Sequence, residues 1–373
     1  MAYIVATATG FPDHYYPQEV LAAALKKYFL VMDLEFDLET IDRFFANVKI
    51  KGRYFTFPLD SFYDPPGVAE VANAAITKCL NVIETTVIKL LDKAAVDPQD
   101  ISQLTATTLI AATPGLDARS LNRIPFAPDI KRMALTGVGC MGGAFGLARV
   151  ADYLKGHPNQ SSVLFAMEPS SGLWQGSLQR DLTRMIKQLP EQPQVYSDII
   201  MTIVTAALFG DGSAAVLMVG EDHSLAQPGQ PRIVDSRSIT LPNTVHLMGM
   251  DLVDTGTRNI LRPEVADYVR VALHKTIDPL LEAHNLSPDK ISRWMIHPGG
   301  PKIITAVQEE FGLDQQLLQG SWDALAEIGN ISSPTVLYIL DQVLAAEQPP
   351  AGSYGLLLAM GPGFSQEAIL LQW

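Results

Sequence analysis

The stretch GVGCMGGAFGLARVADYL, residues 137–154, decides the fold of this chain. It predicts a strand end, a tight glycine turn and then a helix, because glycine permits positive φ and close approach of another backbone. Cys140 stands at or near the first turn of that helix, where unpaired N–H groups and the helix dipole favour a thiolate. Free cysteine is also among the most buried residue types, so the stretch alone fits a nucleophile and a structural thiol equally well.

Length and composition limit the classes of protein that this chain can be. Its 373 residues suit two fused halves of ordinary domain size. A hydrophobic content of 47% with 18% charged residues is typical of a folded enzyme. The formal net charge of -13 argues against general nucleic-acid binding, which needs a basic face. The two cysteines, Cys79 and Cys140, have no CxxC spacing, so neither a disulfide framework nor a cysteine-based zinc site is expected.

The chain carries no signal that predicts export or membrane insertion. Residues 1–7 lack the basic region and the long apolar region of a signal peptide. The nearest candidate for a membrane span, residues 199–209, is too short. We therefore expect a cytoplasmic protein that does not insert into a membrane.

The second half of the chain repeats the first. Residues 91–104, LDKAAVDPQDISQL, match residues 281–294, LEAHNLSPDKISRW, at an offset of 190 positions. The same offset carries Cys140 onto Asn330, which again follows a glycine and precedes small residues and a helix. The repeat predicts a duplicated α/β fold, with one half at residues 1–222 and the other at residues 223–373.

The repeat also indicates where a site would form. His297 corresponds to Thr107, at the C-terminal end of a buried strand, and ligands of open α/β sheets bind at such ends. In two halves related by a pseudo-twofold axis, Cys140, Asn330 and His297 converge on one cavity. Taken alone, the histidine would more often be structural.

These three residue types suit one kind of chemistry in particular. A thiolate can accept an acyl group, and a nearby imidazolium stabilises it. Histidine and asparagine can together hydrogen-bond a developing enolate, and asparagine stays neutral at every pH. The combination favours decarboxylation of a malonyl thioester followed by attack of the carbanion on an acyl-cysteine.

Five motifs in one order carry a family resemblance. The chain resembles the type III polyketide synthases, the chalcone and stilbene synthase superfamily, over nearly its whole length. The motifs are GCMGG at 139–143, LFGDGSAA at 208–215, HPGGP at 297–301, GNISS at 329–333 and GPGFS at 361–365.

The resemblance implies a thiolase-like αβαβα layered fold, a homodimer and a catalytic triad of Cys140, His297 and Asn330. It implies that an acyl starter is loaded from acyl-CoA or an acyl carrier protein, extended with malonyl-CoA and cyclised to a pyrone, resorcinol or phloroglucinol type of ring. CoA thioesters would be the substrates, with no other cofactor and no metal.

The resemblance also assigns residues to the cavity. Phe209 matches a gatekeeper, the residue at the junction of CoA tunnel and cavity. Val245 matches the second gatekeeper position, where plant enzymes carry an aromatic ring, and Leu173 stands where they often have a small polar residue. Both differences predict a wide, apolar cavity and a fatty or otherwise apolar starter. Thr113 matches the residue that reaches across the dimer, and the remaining cavity candidates are Thr108, Ser332, Met360, Gly361 and Pro362.

Basic residues are scarce in this acidic chain, and those near the motifs are candidates for contacts with the phosphates of CoA. Lys49, Lys51 and Arg53 form the clearest basic cluster, and Lys302 follows the HPGGP motif. On charge alone, the cluster fits a solvated turn as well as a phosphate site.

One segment departs from the family pattern. Residues 175–190 are longer than the usual connection, and an apolar stripe at Leu178, Leu182, Met185, Ile186 and Leu189 predicts an extra amphipathic helix. A surface flap is the plainer interpretation. The alternative is a lid or a partner-docking helix beside the cavity.

Three rival functions share part of the pattern. An enzyme like ketoacyl synthase III would make a single condensation with the same residues, but the HPGGP and GPGFS motifs favour a polyketide synthase. A papain-like protease also uses Cys, His and Asn, and the internal duplication counts against it. A non-catalytic partner subunit would normally have lost the nucleophile.

Overall fold

The computed structural model describes residues 1–63, 67–110, 112–253, 256–262, 264–346 and 349–373, with backbone alone at 68, 172–178, 252–253, 256–257 and 266. The strands are β1 (Ala2–Gly10), β2 (His14–Pro17), β3 (Gly52–Phe55), β4 (Gln103–Thr107), β5 (Lys131–Leu135), β6 (Ser161–Pro169), β7 (Asp211–Gly220), β8 (Arg232–Thr240), β9 (Met248–Val253), β10 (Gly256–Leu261), β11 (Ile291–Ile296), β12 (Tyr354–Gly361) and β13 (Ser365–Gln372). The helices are α1 (Gln18–Val31), α2 (Leu38–Asn47), α3 (Val68–Ala94), α4 (Leu116–Ser120), α5 (Gly142–Gly156), α6 (Ser170–Gln188), α7 (Tyr196–Leu208), α8 (Val265–Glu282), α9 (Pro301–Phe311), α10 (Gln319–Ile328) and α11 (Pro334–Ala345).

The main sheet shows the internal repeat directly. Its strand order in the described chain is β11-β12-β13-β8-β1-β7-β6-β4-β5. The run β4-β6-β7-β1 from the first half is mirrored by β11-β12-β13-β8 from the second, with one parallel pairing followed by two antiparallel pairings in each. The two runs meet where β1 pairs with β8, Ala2 opposite Ile233. The predicted duplicated α/β fold is confirmed, and the boundary at residue 222 falls in the connection between β7 and β8.

Two helices lie at the centre of the molecule. α5 contacts strands of both halves, β4, β6 and β7 on one side and β12 and β13 on the other, and α11 packs beside it. The outer faces are covered by α3 over β1 and β7, and by α8 over β8 and β13. This is the αβαβα order of layers that the resemblance implied.

Glycines let the two central helices meet at their N-termini. A Cβ on Gly142 would lie 2.3 Å from Thr107 Oγ1, and one on Gly143 would lie 2.4 Å from the carbonyl oxygen of Ser333. The turn before α5 and the turn before α11 can therefore touch only because these positions have no side chain. That contact brings Cys140 beside Asn330.

The predicted extra helix is confirmed, and it is part of the core. α6 starts at Ser170, and its side chains Leu182, Met185 and Ile186 are at most 5% exposed within the largest hydrophobic cluster. The interpretation of this segment as a surface flap is wrong, because these apolar side chains pack beneath neighbouring helices. No described helix combines the length and the hydropathy that crossing a bilayer requires.

Shortening a buried side chain of α6 is expected to destabilise the whole protein. Leu182→Ala removes a side chain with no exposed surface, and such changes cost about 2 to 5 kcal/mol because a cavity is left behind. The exposed Lys187→Ala, on the same helix, should stay within about 0.5 kcal/mol of wild type. Denaturant unfolding of both variants measures the difference, and equal losses would mean that α6 does not belong to the cooperative core.

A buried glutamate on β13 makes stability depend on pH. Ser238 Oγ donates to one oxygen of Glu367, Arg149 Nη2 lies 3.9 Å from the other, and burial raises the pKa of Glu367 to about 7 from 4.5. Between those two values the native carboxyl keeps a proton that the unfolded chain releases, so stability falls as pH rises.

Glu367→Gln should remove the part of the fall in stability with rising pH that this carboxyl causes. The difference in free energy of unfolding between pH 5 and pH 8 should shrink by up to about 3 kcal/mol. Urea unfolding at both values measures it, with the exposed Glu191→Gln as control. An unchanged difference would show that Glu367 titrates normally in the folded protein.

Candidate active site

Cys140 lies in a 3-10 turn, Gly139–Met141, that runs directly into α5. Gly139 has φ +52, and a Cβ there would lie 2.6 Å from Cδ of Pro362, so only glycine fits. The Cys140 thiol donates to Ser332 Oγ at 3.4 Å and contacts Asn330 Oδ1 at 4.0 Å. The thiol therefore faces the loop that the internal repeat matched to its own.

Asn330 is held from both sides of its backbone. Its N–H donates to the carbonyl of Leu208 at 3.0 Å, and its carbonyl accepts from Gly210 N–H at 3.0 Å. Its side-chain Oδ1 accepts from the backbone N–H of Ser332 at 2.7 Å, and the residue is 1% exposed. The hydrogen bond to Ser332 fixes the orientation of the amide. Its NH₂ group is the donor that can bind a ligand.

His297 follows the last residue of β11, and its backbone N–H donates to the carbonyl of Leu358 at 2.8 Å. The residue is 1% exposed, and neither Nδ1 nor Nε2 has a hydrogen-bond partner in the described part of the chain. A buried imidazole without protein partners is able to exchange a proton with a bound molecule.

The three side chains line one cavity of about 640 Å³, its open mouth included. Most of its other walls are apolar, and the polar exception is Asn259. The walls are Leu109, Gly139, Phe209, Met248, Gly249, Met250, Asn259, Leu261, Val265, Gly299, Ile303, Met360 and Pro362. The sequence prediction that Cys140, His297 and Asn330 converge agrees with this geometry.

Burial acts on the acid and the base in opposite directions. It raises the pKa of Cys140 to about 11, and it lowers the pKa of His297 to about 3. The cause is the same for both, since loss of water disfavours the charged form of each group. The sequence argument expected an imidazolium ready to stabilise a thiolate. In the structure burial disfavours the charged form of each group, so the neutral thiol and the neutral imidazole are the favoured forms near pH 7.

A buried glutamate that we did not predict supports the site. Glu168, 1% exposed, accepts from Ser333 Oγ at 2.6 Å and from the backbone N–H of Leu109 at 2.9 Å. Burial raises its pKa to about 8. It thereby joins the turn before α11 to the strand end that contributes Leu109 to the cavity. The sequence signal was its place in a further short repeat, in which residues 165–169, FAMEP, resemble residues 358–362, LAMGP.

Several predicted cavity residues lie in or beside the cavity. Phe209, Met360 and Pro362 line it, and Ser332 contacts the thiol. Gly361 lies behind the turn of Cys140, where a Cβ would meet the carbonyl oxygen of Val138 at 2.3 Å.

Two other predicted residues, Thr108 and Thr113, do not line the cavity. Thr108 is buried, and its side chain hydrogen-bonds with Glu168. Thr113 is exposed, and its reach across a dimer stays a prediction. The side chain of Leu173 lies outside those that the structure describes.

Two predictions are wrong. Val245 is 77% exposed and does not line the cavity, because the wall in that region is built by Met248 and Met250 further along the chain. Arg53 is fully buried, and its guanidinium donates to Gln18 Oε1 and to the carbonyl of Phe209, so it cannot reach a CoA phosphate at the surface.

The remaining basic candidates are exposed. Lys51 and Lys302 lie at the surface, and Lys49 lies over the Trp322 ring at 4.8 Å from its centroid. Their contact with CoA stays a prediction. Sequence reasoning missed the β9–β10 hairpin, which supplies Met248, Gly249, Met250, Asn259 and Leu261 to the cavity wall. The available signal was two short segments at 248–253 and 256–261, which we did not recognise as paired strands.

The fold is the thiolase-like fold of solved type III polyketide synthase structures. A family model for the C-terminal domain of chalcone and stilbene synthases matches residues 232–373, and one for FAE1/type III polyketide synthase-like proteins matches residues 54–182. A crystal structure of 1,3,6,8-tetrahydroxynaphthalene synthase from Streptomyces coelicolor A3(2), 20% identical, superimposes with a TM-score of 0.86 over 100% of this chain and 99% of that one.

Sequence comparison adds the family. The chain is 34% identical to 1,3,6,8-tetrahydroxynaphthalene synthase of Streptomyces peucetius subsp. caesius, over 99% of this chain and 93% of the relative. It is 28% identical to the alpha-pyrone synthesis polyketide synthase-like Pks18 of Mycobacterium tuberculosis, over 71% of this chain and 63% of that relative. The chain belongs to the type III polyketide synthase family, enzymes that transfer acyl groups and condense them with malonyl-CoA as it loses CO₂.

Proposed function

We propose that Cys140 carries the growing chain and that His297 and Asn330 drive decarboxylation. Their convergence in one apolar cavity is the observation that carries the proposal. In loading, the Cys140 proton passes to His297, the sulfur attacks the carbonyl of the starter thioester, and the CoA thiol leaves with that proton. The product of this step is an acyl-cysteine and free CoA.

Extension uses the same cavity. The bond between the carboxylate and the α-carbon of malonyl-CoA breaks, CO₂ leaves, and the electron pair moves onto the thioester oxygen as an enolate. The NH₂ of Asn330 and an N–H of His297 donate to that oxygen, which stabilises the developing charge. The enolate carbon then attacks the acyl-cysteine, and the Cys140 thiolate leaves.

The cavity walls support an apolar starter, a fatty acyl group above all. Phe209, Met250 and Leu261 present hydrocarbon or thioether surface to the acyl chain, and burying each CH₂ is worth about 0.8 kcal/mol. We propose a pyrone, resorcinol or phloroglucinol type of ring as the product. One relative is named for alpha-pyrone synthesis, which supports the pyrone, and another is named for a tetrahydroxynaphthalene, a different polyhydroxylated aromatic.

Further parts of the proposal concern partners. We propose a homodimer in which the exposed Thr113 reaches towards the partner's cavity. Lys49, Lys51 and Lys302 are the proposed contacts for the phosphates of CoA, since they are the exposed members of the candidate set. The starter arrives as acyl-CoA or on an acyl carrier protein, and the enzyme works in the cytoplasm.

The test is a starter panel. Purified protein is incubated with malonyl-CoA and acyl-CoA starters from acetyl to lauroyl, with CO₂ release and product masses as readouts. We expect cyclised products from two or more extensions, made fastest from the longer starters. A linear product of a single extension would favour the ketoacyl synthase type of reaction, and no CO₂ release with any starter would exclude the proposed function.

A further inference from the structure

The hairpin of β9 and β10 stands apart from the main sheet. In the described chain these strands pair only with each other. Backbone hydrogen bonds hold the base of the hairpin, from Gly363 N–H to the carbonyl of Met248 and from Arg262 N–H to that of Leu247. The position of the hairpin beyond this base therefore depends on the contacts of its side chains.

The two faces of the hairpin have different partners. Asn259 lies opposite Met250, and Leu261 lies opposite Met248, so these four side chains share one face, and all four line the cavity. Arg258 precedes Asn259 and therefore lies on the other face. That face meets α6.

Arg258 makes an ion pair with Asp181 of α6. Its Nε lies 3.0 Å from Asp181 Oδ2, and its Nη2 lies 3.4 Å from Oδ1. The carboxylate is 2% exposed and the guanidinium 32%, so the pair is shielded from water on one side. The same carboxylate also binds Arg184, one turn along α6, at 2.9 Å.

The two sides of this ion pair differ in how firmly they are held. Leu182, Met185 and Ile186 fix α6 in the hydrophobic core. Among the described side chains of the hairpin, those that pack against this core are Met248 and Leu261, at its base. We propose that Asp181 and Arg258 act as a positioning pair, which holds the cavity wall of β9 and β10 against α6 and thereby sets which acyl starters fit.

Two other contacts tie the hairpin region to α7, and both are weaker. Arg262 pairs with Asp198 at 2.8 Å, but both side chains are at least 40% exposed, and exposed pairs contribute little. Asn259 Nδ2 donates to Thr205 Oγ1 at a long 3.4 Å. Among these described side-chain contacts, the ion pair with Asp181 is thus the strongest, and it gives α6 its proposed role.

The first test needs no activity. Hydrogen–deuterium exchange of residues 248–261 is measured in Arg258→Met and in the matched control Arg184→Ala, which removes a partner of the same carboxylate without touching the hairpin. We expect exchange to be about tenfold faster in Arg258→Met and unchanged in the control, because only the former frees the wall. Equal exchange in wild type and Arg258→Met would overturn the proposal.

The second test rests on the proposed function. The ratio of kcat/KM for lauroyl-CoA to that for hexanoyl-CoA should change about threefold to tenfold in Arg258→Met and in Asp181→Asn. Arg258→Lys should restore part of the wild-type ratio, because it keeps the charge but not the two-point contact. Malonyl-CoA decarboxylation should stay as in wild type, since His297 and Asn330 lie on other elements.

The outcomes separate the two proposals. A ratio that is unchanged in Arg258→Met, or changed as much in Arg184→Ala, overturns the positioning role and leaves the enzyme assignment intact. No CO₂ release from wild type overturns the proposed function, and hydrogen exchange still decides the role of the ion pair. If Arg258→Met does not fold, Asp181→Asn and Arg258→Lys provide the same comparison.

Discussion

Replacing His297 or Asn330 by alanine is expected to abolish the release of CO₂ from malonyl-CoA, whereas Cys140→Ala should still release it. In the proposed mechanism the two donors stabilise an enolate that forms before the acyl-cysteine is used. Loss of one such donor typically costs about 10²- to 10³-fold in rate. Cysteine takes no part in breaking the carbon–carbon bond, so its loss should abolish acyl loading alone.

The measurement is CO₂ release from malonyl-CoA labelled in its free carboxyl group, together with the mass of the acylated protein. His284→Ala is a suitable control, because that histidine pairs with Asp235 away from the cavity. Decarboxylation that survives equally in all three alanine variants would contradict the donor roles. Loss in all three would assign Cys140 a part in the decarboxylation step.

Alkylation of Cys140 should shift to higher pH when His297 is replaced. Burial raises the pKa of the Cys140 thiol to about 11, and in the proposed mechanism an imidazole that accepts its proton counters this increase by forming an ion pair. His297→Ala leaves burial unopposed. The thiol of the variant should then react slowly near pH 7, and its rate should rise steeply only above about pH 9.

Iodoacetamide modification followed by mass spectrometry gives the rate at each pH. Cys79 is an internal control, because it is fully buried on α3 and burial raises its pKa as well. Modification of the folded protein should therefore occur at Cys140 first. Coincident pH profiles for wild type and His297→Ala would show that the histidine is not the base for this thiol.

The relation between Cys140 and Asn330 was predictable because a duplicated chain places equivalent residues at equivalent points of a symmetric fold. A repeat found in the two helix-to-strand connections, residues 91–104 and 281–294, was enough to transfer one turn onto the other. The glycines 142 and 143 then showed that this turn approaches another backbone closely. Both inferences use local sequence, so they needed no knowledge of packing.

Other residues could not be placed in this way. Val245 and Met248 are only three positions apart, yet one is exposed and the other lines the cavity, because Val245 lies in the turn that precedes β9 and Met248 is the first residue of β9. Arg53 is only two positions after Lys51, but Lys51 precedes β3 and is exposed, whereas Arg53 lies within β3, is buried and donates to the carbonyl of Phe209. A basic cluster read as one surface patch thus consists of exposed lysines and a buried arginine.

The sequence by itself determined the fold class, the duplication and the three residues of the site, because each leaves a local pattern that is repeated or ordered along the chain. Only the tertiary structure decided the protonation of that site, the path of the cavity wall and the place of α6 in the core. Those properties depend on which distant side chains exclude water from one another. The pKa values of Cys140 and His297 are strongly shifted because distant side chains bury both groups. The contact between Asp181 and Arg258, 77 positions apart in sequence, likewise depends on how distant elements pack.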